Sequence, residues 1–197
     1  MDAPFDPRPA FVAAVEQSRS VIAAVGPDDL TRPTPCTEYD VQQLLGHLIG
    51  VAGRIDHVGR GGFFADAPAM VEDIDPAAVP AEFRTRTASA IDAWSDDERL
   101  TATYQAPWGA SPGFGMVAAY TQELVVHSWD LASAIGFDDL DPELAVGCLA
   151  TAKQFVPAEI RTGEGVPFGP VVEVGDDADP YLQLAGWLGR HPLVDAA

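Results

Sequence analysis

"TQELVVHSWDLASAIG", residues 121–136, reads as an apolar helix closed by Gly136 in the C-cap position. The pattern extends back to Met116, so a helix over Met116 to Ile135 is predicted. Within it, Glu123 and His127 lie four residues apart. Side chains at that spacing point the same way, with Cβ atoms about 5–6 Å apart. They share a stripe with Tyr120, Leu131 and Ala134, which is an interior-looking face. A carboxylate buried there without a partner costs several kcal/mol, and a cation shared with the imidazole removes that cost.

Working outward, Pro9 to Val25 carries Phe11, Val12, Val15, Ser18, Ile22 and Val25 at helical spacing, and Gly26 and Pro27 stop it. Thr37 is a candidate N-cap for a second helix from Glu38 to Arg60. Glu38 and Asp40 fall in its first turn, where negative charge suits the dipole. Val41, Leu44, Leu48, Val51 and Ile55 form a narrow apolar stripe along it. A third helix over Ala81 to Asp96 carries Phe83, Ala90, Ile91 and Trp94, and the stretch 106–115, "APWGASPGFG", reads as a loop. A further helix opens at Asp141 with Pro142 in its first turn and reaches Ile160. The tail offers a short strand over Val171 to Val174 and a helix over Pro180 to Leu188 that buries Leu182, Leu184 and Trp187. Five helical patterns with almost no strand alternation predict an all-α protein. Residues 1–160 form a four-helix bundle, and 161–197 form a C-terminal extension packed on it.

Two ligands make a weak metal site, and the chain has four histidines to supply a third. His191 lies in the tail. His57 projects opposite the apolar stripe of the second helix and is expected to face water. His47 flanks that stripe beside Leu44 and Val51, so it can look into the bundle. The set His47, Glu123 and His127 suits Zn²⁺ and its first-row neighbours, and leaves positions open as catalytic sites do. A plain i,i+4 pair, or a hydrogen-bonded core histidine, produces the same spacing. Arg54, two turns beyond His47, is a candidate for binding an anionic cofactor or substrate, and Arg84 and Arg86 are candidates of the same kind. Asp130 either orients His127 or anchors nearby backbone. Trp129 is expected in a seam between helices, and Trp108 and Phe114 at the lip of the site. Cys36 precedes His47 by 11 residues, about 16 Å along a continuous helix, so it is expected to stand apart from the site.

Two segments carry a family resemblance. "CTEYDVQQLLGHLIG" at 36–50 resembles the C-x-x-W-x-V-x-x-L-x-x-H segment of the mycothiol-dependent maleylpyruvate isomerase N-terminal domain, within the DinB-like superfamily. "ELVVHSWDLASAIG" at 123–136 resembles the second signature of that group, E-x-x-x-H-x-W-D-L-A. The tail "FGPVVEVGDDADPYLQLAGWLGRHP" is similar to that of an actinobacterial metal-binding subgroup. The resemblance implies a DinB-like four-helix bundle with a divalent metal, zinc or nickel, on His47, Glu123 and His127. It also implies a low-molecular-weight thiol, mycothiol, as cosubstrate. The more usual DinB site has three histidines, so Glu123 places the chain nearer the isomerase branch. Tyr39 stands where the motif has Trp, and a short tail stands where the isomerase has a larger C-terminal domain.

Acidic residues outnumber basic ones 30 to 11, for a net charge of −19. That field repels phosphate backbones and anionic membranes, which excludes nucleic acid and membrane partners. No apolar run approaches the length of a spanning helix. The two cysteines, Cys36 and Cys148, form no C-x-x-C pair, and the first residues lack the basic and apolar regions of a signal peptide, so a cytoplasmic setting is expected. Together with the open His47, Glu123 and His127 set, the family resemblance implies a metal-dependent thiol transferase or isomerase acting on a small electrophilic molecule. The alternatives are a non-catalytic metal-binding or sensor protein, and a structural bundle in which Glu123 pairs with a histidine. Homodimer formation is left open.

Overall fold

A computed structural model describes residues 6–162 and 168–193 of the chain. Four helices make the bundle: α1 (Arg8–Ala24), α2 (Val41–Gly59), α3 (Val79–Ala93) and α5 (Gly113–Ile135). α1 packs on α5 and α3, and α2 packs on α3 and α5, so the four close into a ring. Their apolar stripes meet inside it. Phe11, Leu44, Leu48, Ile55, Phe83 and Leu124 are essentially inaccessible to solvent. Ser18 Oγ and Ser128 Oγ hydrogen-bond at 2.9 Å and satisfy each other in the α1–α5 seam. Trp94 caps the α3 end by donating Nε1–H to Ile55 O at 3.0 Å.

The remaining elements are α4 (Asp97–Thr101), the strands β1 (Thr103–Ala106) and β2 (Gly109–Pro112), α6 (Pro142–Phe155) and α7 (Pro180–Trp187). α6 and α7 pack on one another and on α5. The all-α class stands, as does the C-terminal end of α5 at Ile135, where the cap Gly136 takes the left-handed conformation (φ 73°), but α5 starts three residues earlier than predicted, at Gly113. Among the described residues no helix is long and apolar enough to cross a membrane. The parts of these expectations that fall on residues 1–5, 163–167 and 194–197 lie outside the described residues.

Several local expectations are corrected. α2 starts three residues later than predicted, capped by Asp40 and not by Thr37. The Asp40 carboxylate accepts from Gln43 N while Gln43 returns its side chain to Asp40 N, a reciprocal cap. Residues 33–40 form a tight loop instead, closed by a Pro33–Asp40 bridge and by the Thr34 hydroxyl aimed at Cys36 O and Tyr39 O. The stretch 106–115 read as loop instead supplies the turn and second strand of the β1–β2 hairpin, whose register pairs Ala106 with Gly109, and the first residues of α5. No strand forms at 171–174, where Val172 N makes a single backbone bond to Gly186 O. His57 is half-buried, not solvent-facing, because its ring lies over Gly62.

The loop after α2 runs back over that helix at Gly46 and Gly50, one turn apart. A Cβ on Gly46 would lie 2.4 Å from Val71 O, and one on Gly50 would lie 2.5 Å from the Ala69 carbonyl carbon. The absent side chains let the 69–71 backbone cross the helix beside His47, where Val71 N donates to Gly46 O.

Candidate metal centre

α2 carries His47 at the flank of its apolar stripe, and α5 carries Glu123, His127 and Asp130 along one side over two turns. The packing of α2 on α5 brings the first three together. His47 Nε2 lies 3.1 Å from Glu123 Oε1, and His127 Nε2 lies 3.6 Å from the same oxygen. The two imidazoles meet edge to face at a centroid distance of 4.8 Å. One donor atom from each of the three residues falls within 4.8 Å of the others, a grouping that could hold a metal ion. Two nitrogens and a carboxylate oxygen converging on one point suit a borderline divalent ion such as zinc. The histidine side chains are 9% and 7% exposed and that of Glu123 is 41% exposed, so the grouping opens on the carboxylate side.

The two histidines are held differently. His127 Nδ1 lies 2.9 Å from Asp130 Oδ2. A carboxylate only accepts, so Nδ1 carries the proton and the Nε2 lone pair is left for an ion. Asp130 is inaccessible to solvent and is held in turn by Arg190, whose Nε lies 3.0 and 3.1 Å from its two oxygens. Among the described residues His47 has no such partner on Nδ1, which is buried without a hydrogen bond. Its ring is stacked under Tyr39 instead, at 5.1 Å and 28°.

The electrostatics follow from this crowding. Burial works to raise the Glu123 carboxyl, but hydrogen bonds from His127 and His47, and their charge, outweigh it and hold the group well below the usual carboxylate value. Burial works to lower His127, but its bonds to Asp130 and Glu123 and their negative charges lift it to about 9. At neutral pH the ion-free site is therefore an imidazolium clamped between two carboxylates.

The other sequence candidates are placed as follows. Arg54 lies beyond His47 on α2, half-buried, donating Nε and Nη2 to Ala67 O at 3.0 and 2.7 Å with its guanidinium 4.3 Å from the Phe64 ring centroid. Burial lowers its pKa, opposed by the charges of Tyr120 and Glu123, which places it within electrostatic reach of the site. Tyr120 itself buries a hydroxyl that has no hydrogen-bond partner among the described residues. Arg86 is engaged by Glu82, and Arg84 is exposed. Trp108 and Phe114 are exposed on and after the hairpin, and Trp129 is buried.

One residue was misplaced by the sequence reading and another escaped it. Cys36 does not stand 16 Å away along a helix. The 33–40 loop folds back and sets its sulfur within 4.8 Å of donor atoms of His127 and Asp130. Burial and the charge of Asp130 push its thiol pKa up. Arg190 was not singled out at all, and its only sequence signal is a lone cation three residues beyond α7 in an acidic tail.

The profile of the mycothiol maleylpyruvate isomerase N-terminal domain matches residues 11–132, a span that contains the whole His47, Glu123 and His127 grouping. Uncharacterized proteins Rv0738 and MT0763 from two Mycobacterium tuberculosis strains, H37Rv and CDC 1551, are each 35% identical over 190 residues, covering 94% of this chain and 98% of theirs. Crystal structures of the mycothiol-dependent maleylpyruvate isomerase and of a mutant of it superpose with TM-scores of 0.59 and 0.61. Each has 15% identity and covers 81% of this chain and 72% of that one, a likeness of fold. The DinB-like bundle and the matched domain together show that the chain belongs to the mycothiol maleylpyruvate isomerase N-terminal domain family.

Proposed function

We propose that the protein is a metal-dependent enzyme that uses a low-molecular-weight thiol, mycothiol, in S-transfer to, or thiol-assisted isomerisation of, a small electrophilic substrate. In this reading residues 1–160 are the metal-binding bundle and 161–197 the extension packed on it. The observation that carries the proposal is the convergence of His47, Glu123 and His127 with only the carboxylate side open to solvent. A structural ion is closed off by four protein ligands, whereas three ligands and an open side leave room for a reactant.

When bound, a divalent ion, zinc or nickel, supplies Lewis acidity that lowers the pKa of a thiol or water in an open position. The chain's own groups do the rest. Asp130 keeps the proton on His127 Nδ1, and the stacked Tyr39 restrains the His47 ring. Glu123 stays ionised and offsets cationic charge in the site. Arg54 sets a positive charge near Glu123 and suits an anionic group on substrate or thiol. The raised thiol pKa of Cys36 makes it a poor internal nucleophile, which favours an exogenous thiol.

The test is turnover of electrophilic substrates with mycothiol, in protein loaded with zinc or nickel and in thoroughly metal-free protein. Turnover requiring both thiol and metal supports the proposal, and turnover unchanged after metal removal refutes it. Stoichiometric metal with no thiol-dependent turnover would leave the non-catalytic metal-binding reading in its place.

A further inference from the structure

We infer that Arg190, delivered by the C-terminal extension, is a positioning residue of the metal centre: through Asp130 it fixes the His127 ring for ion binding, so the extension is a working part of the site. The inference rests on the metal reading of His47, Glu123 and His127 and concerns what holds that site in register.

The path begins at the end of α7. Gly189 adopts the left-handed conformation (φ 81°), with its N–H bonded to Gly186 O at 3.0 Å, and Arg190 N bonds Ala185 O at 2.9 Å. That pair of bonds is a Schellman cap, which fixes the direction in which the chain leaves the helix. A Cβ at 189 would lie 2.7 Å from Gly169 Cα, so two glycine backbones touch there and the cap is pressed against an earlier segment of the extension. From this fixed base the Arg190 side chain, 15% exposed, reaches Asp130 with Nε against both carboxylate oxygens. Asp130 is 0% exposed and spends Oδ2 on His127 Nδ1 as well.

A carboxylate buried this completely needs its charge compensated, and an uncompensated one would rotate, take up a proton or draw in water. Any of these changes loosens the hydrogen bond that selects the His127 tautomer and aims Nε2 at Glu123 and His47. Outer partners of metal-bound histidines act in this way, and losing one typically weakens metal affinity about 10–100-fold. Here the outermost link comes from outside the bundle. The family match ends at residue 132, so the link also lies beyond the span that identifies the fold.

The experiment compares wild type, Arg190→Ala, Arg190→Lys and Asp130→Asn. Zn²⁺ affinity is read by chelator competition, and ligand geometry by the visible spectrum of the Co²⁺-loaded proteins, with thermal melts run alongside. Arg190→Ala is expected to weaken Zn²⁺ about 10–100-fold and to alter the Co²⁺ bands in the same sense as Asp130→Asn. Arg190→Lys, which keeps the charge but loses the planar fork, is expected to fall between Arg190→Ala and wild type. Arg190→Ala with wild-type affinity and spectrum overturns the inference, even if its melting temperature drops, because Arg190 then serves folding alone. Wild type that takes up neither Zn²⁺ nor Co²⁺ overturns the metal reading itself, a result distinguishable from the first.

Discussion

Metal binding at His47, Glu123 and His127 must expel a proton from His127, and this makes affinity depend on pH in a defined window. In the ion-free protein the Asp130 and Glu123 carboxylates outweigh burial and raise His127 to about 9. An ion takes the Nε2 lone pair, while Nδ1–H stays on Asp130. Between pH 7 and 8.5, above the ordinary range of imidazole, apparent Zn²⁺ affinity should therefore climb close to tenfold per pH unit and level off near pH 9. At pH 7 the retained proton weakens binding by about 100-fold, or about 2.7 kcal/mol, relative to the plateau. Glu123 adds nothing to this slope, since it is already ionised. The assay is titration calorimetry with Zn²⁺ in buffers of differing ionisation enthalpy, from which the number of protons released follows directly. Close to one proton from His127 is expected at pH 7.5, and Asp130→Asn should flatten the slope by removing one of the two charges that raise this imidazole. An affinity that is flat from pH 7 to 8.5 in wild type would refute the reasoning. The same proton governs the stability of the ion-free fold. His127 holds it more tightly folded than unfolded, so the stabilisation is complete below pH 6.5 and is lost as pH rises through about 9. That loss amounts to about 3 kcal/mol, visible as a falling melting temperature that His127→Ala should not show.

Glu123→Gln keeps the shape of the ligand and removes its charge. It should weaken Zn²⁺ by more than the about 10–100-fold that the loss of an outer partner costs, as measured by chelator competition. Gly50→Ala drives a Cβ to 2.5 Å from the Ala69 backbone. It should destabilise the protein by about 1–3 kcal/mol, a drop of several degrees in melting temperature, and an unchanged melt would mean that the 69–71 crossing is not tight. Alkylation followed by mass spectrometry at pH 8 should find Cys36 slower than a peptide thiol and Cys148 unreacted, because burial pushes Cys148 up to about 12. Cys148 labelled at a peptide-thiol rate would contradict its burial.

Much of the architecture is local information and so is legible in the chain. The repeat of Val41, Leu44, Leu48, Val51 and Ile55 specifies a buried face whatever packs on it, and all five are buried. The i,i+4 spacing of Glu123 and His127 fixes their common direction before any tertiary contact exists. His47 could be chosen among four histidines because its place beside that stripe is a property of one helix alone. Boundaries were less legible where side chains compete for the backbone: Asp40 and Gln43 cap each other, and Thr34 ties up the carbonyls of Cys36 and Tyr39, so α2 cannot begin at Glu38. The hairpin before α5 was hidden because Pro and Gly mark a turn without saying whether its flanks will pair.

By itself, then, the sequence determined the helical bundle and the helix faces on which His47, Glu123 and His127 lie, since both depend on periodicities of a few residues. Tertiary structure alone decided what surrounds those three: Cys36 brought back beside His127 and Asp130, and Arg190 arriving 60 positions after the aspartate it holds. Such contacts have no period. They arise from how a loop folds back and where a capped helix aims its last residue, and these are settled only when separate elements pack.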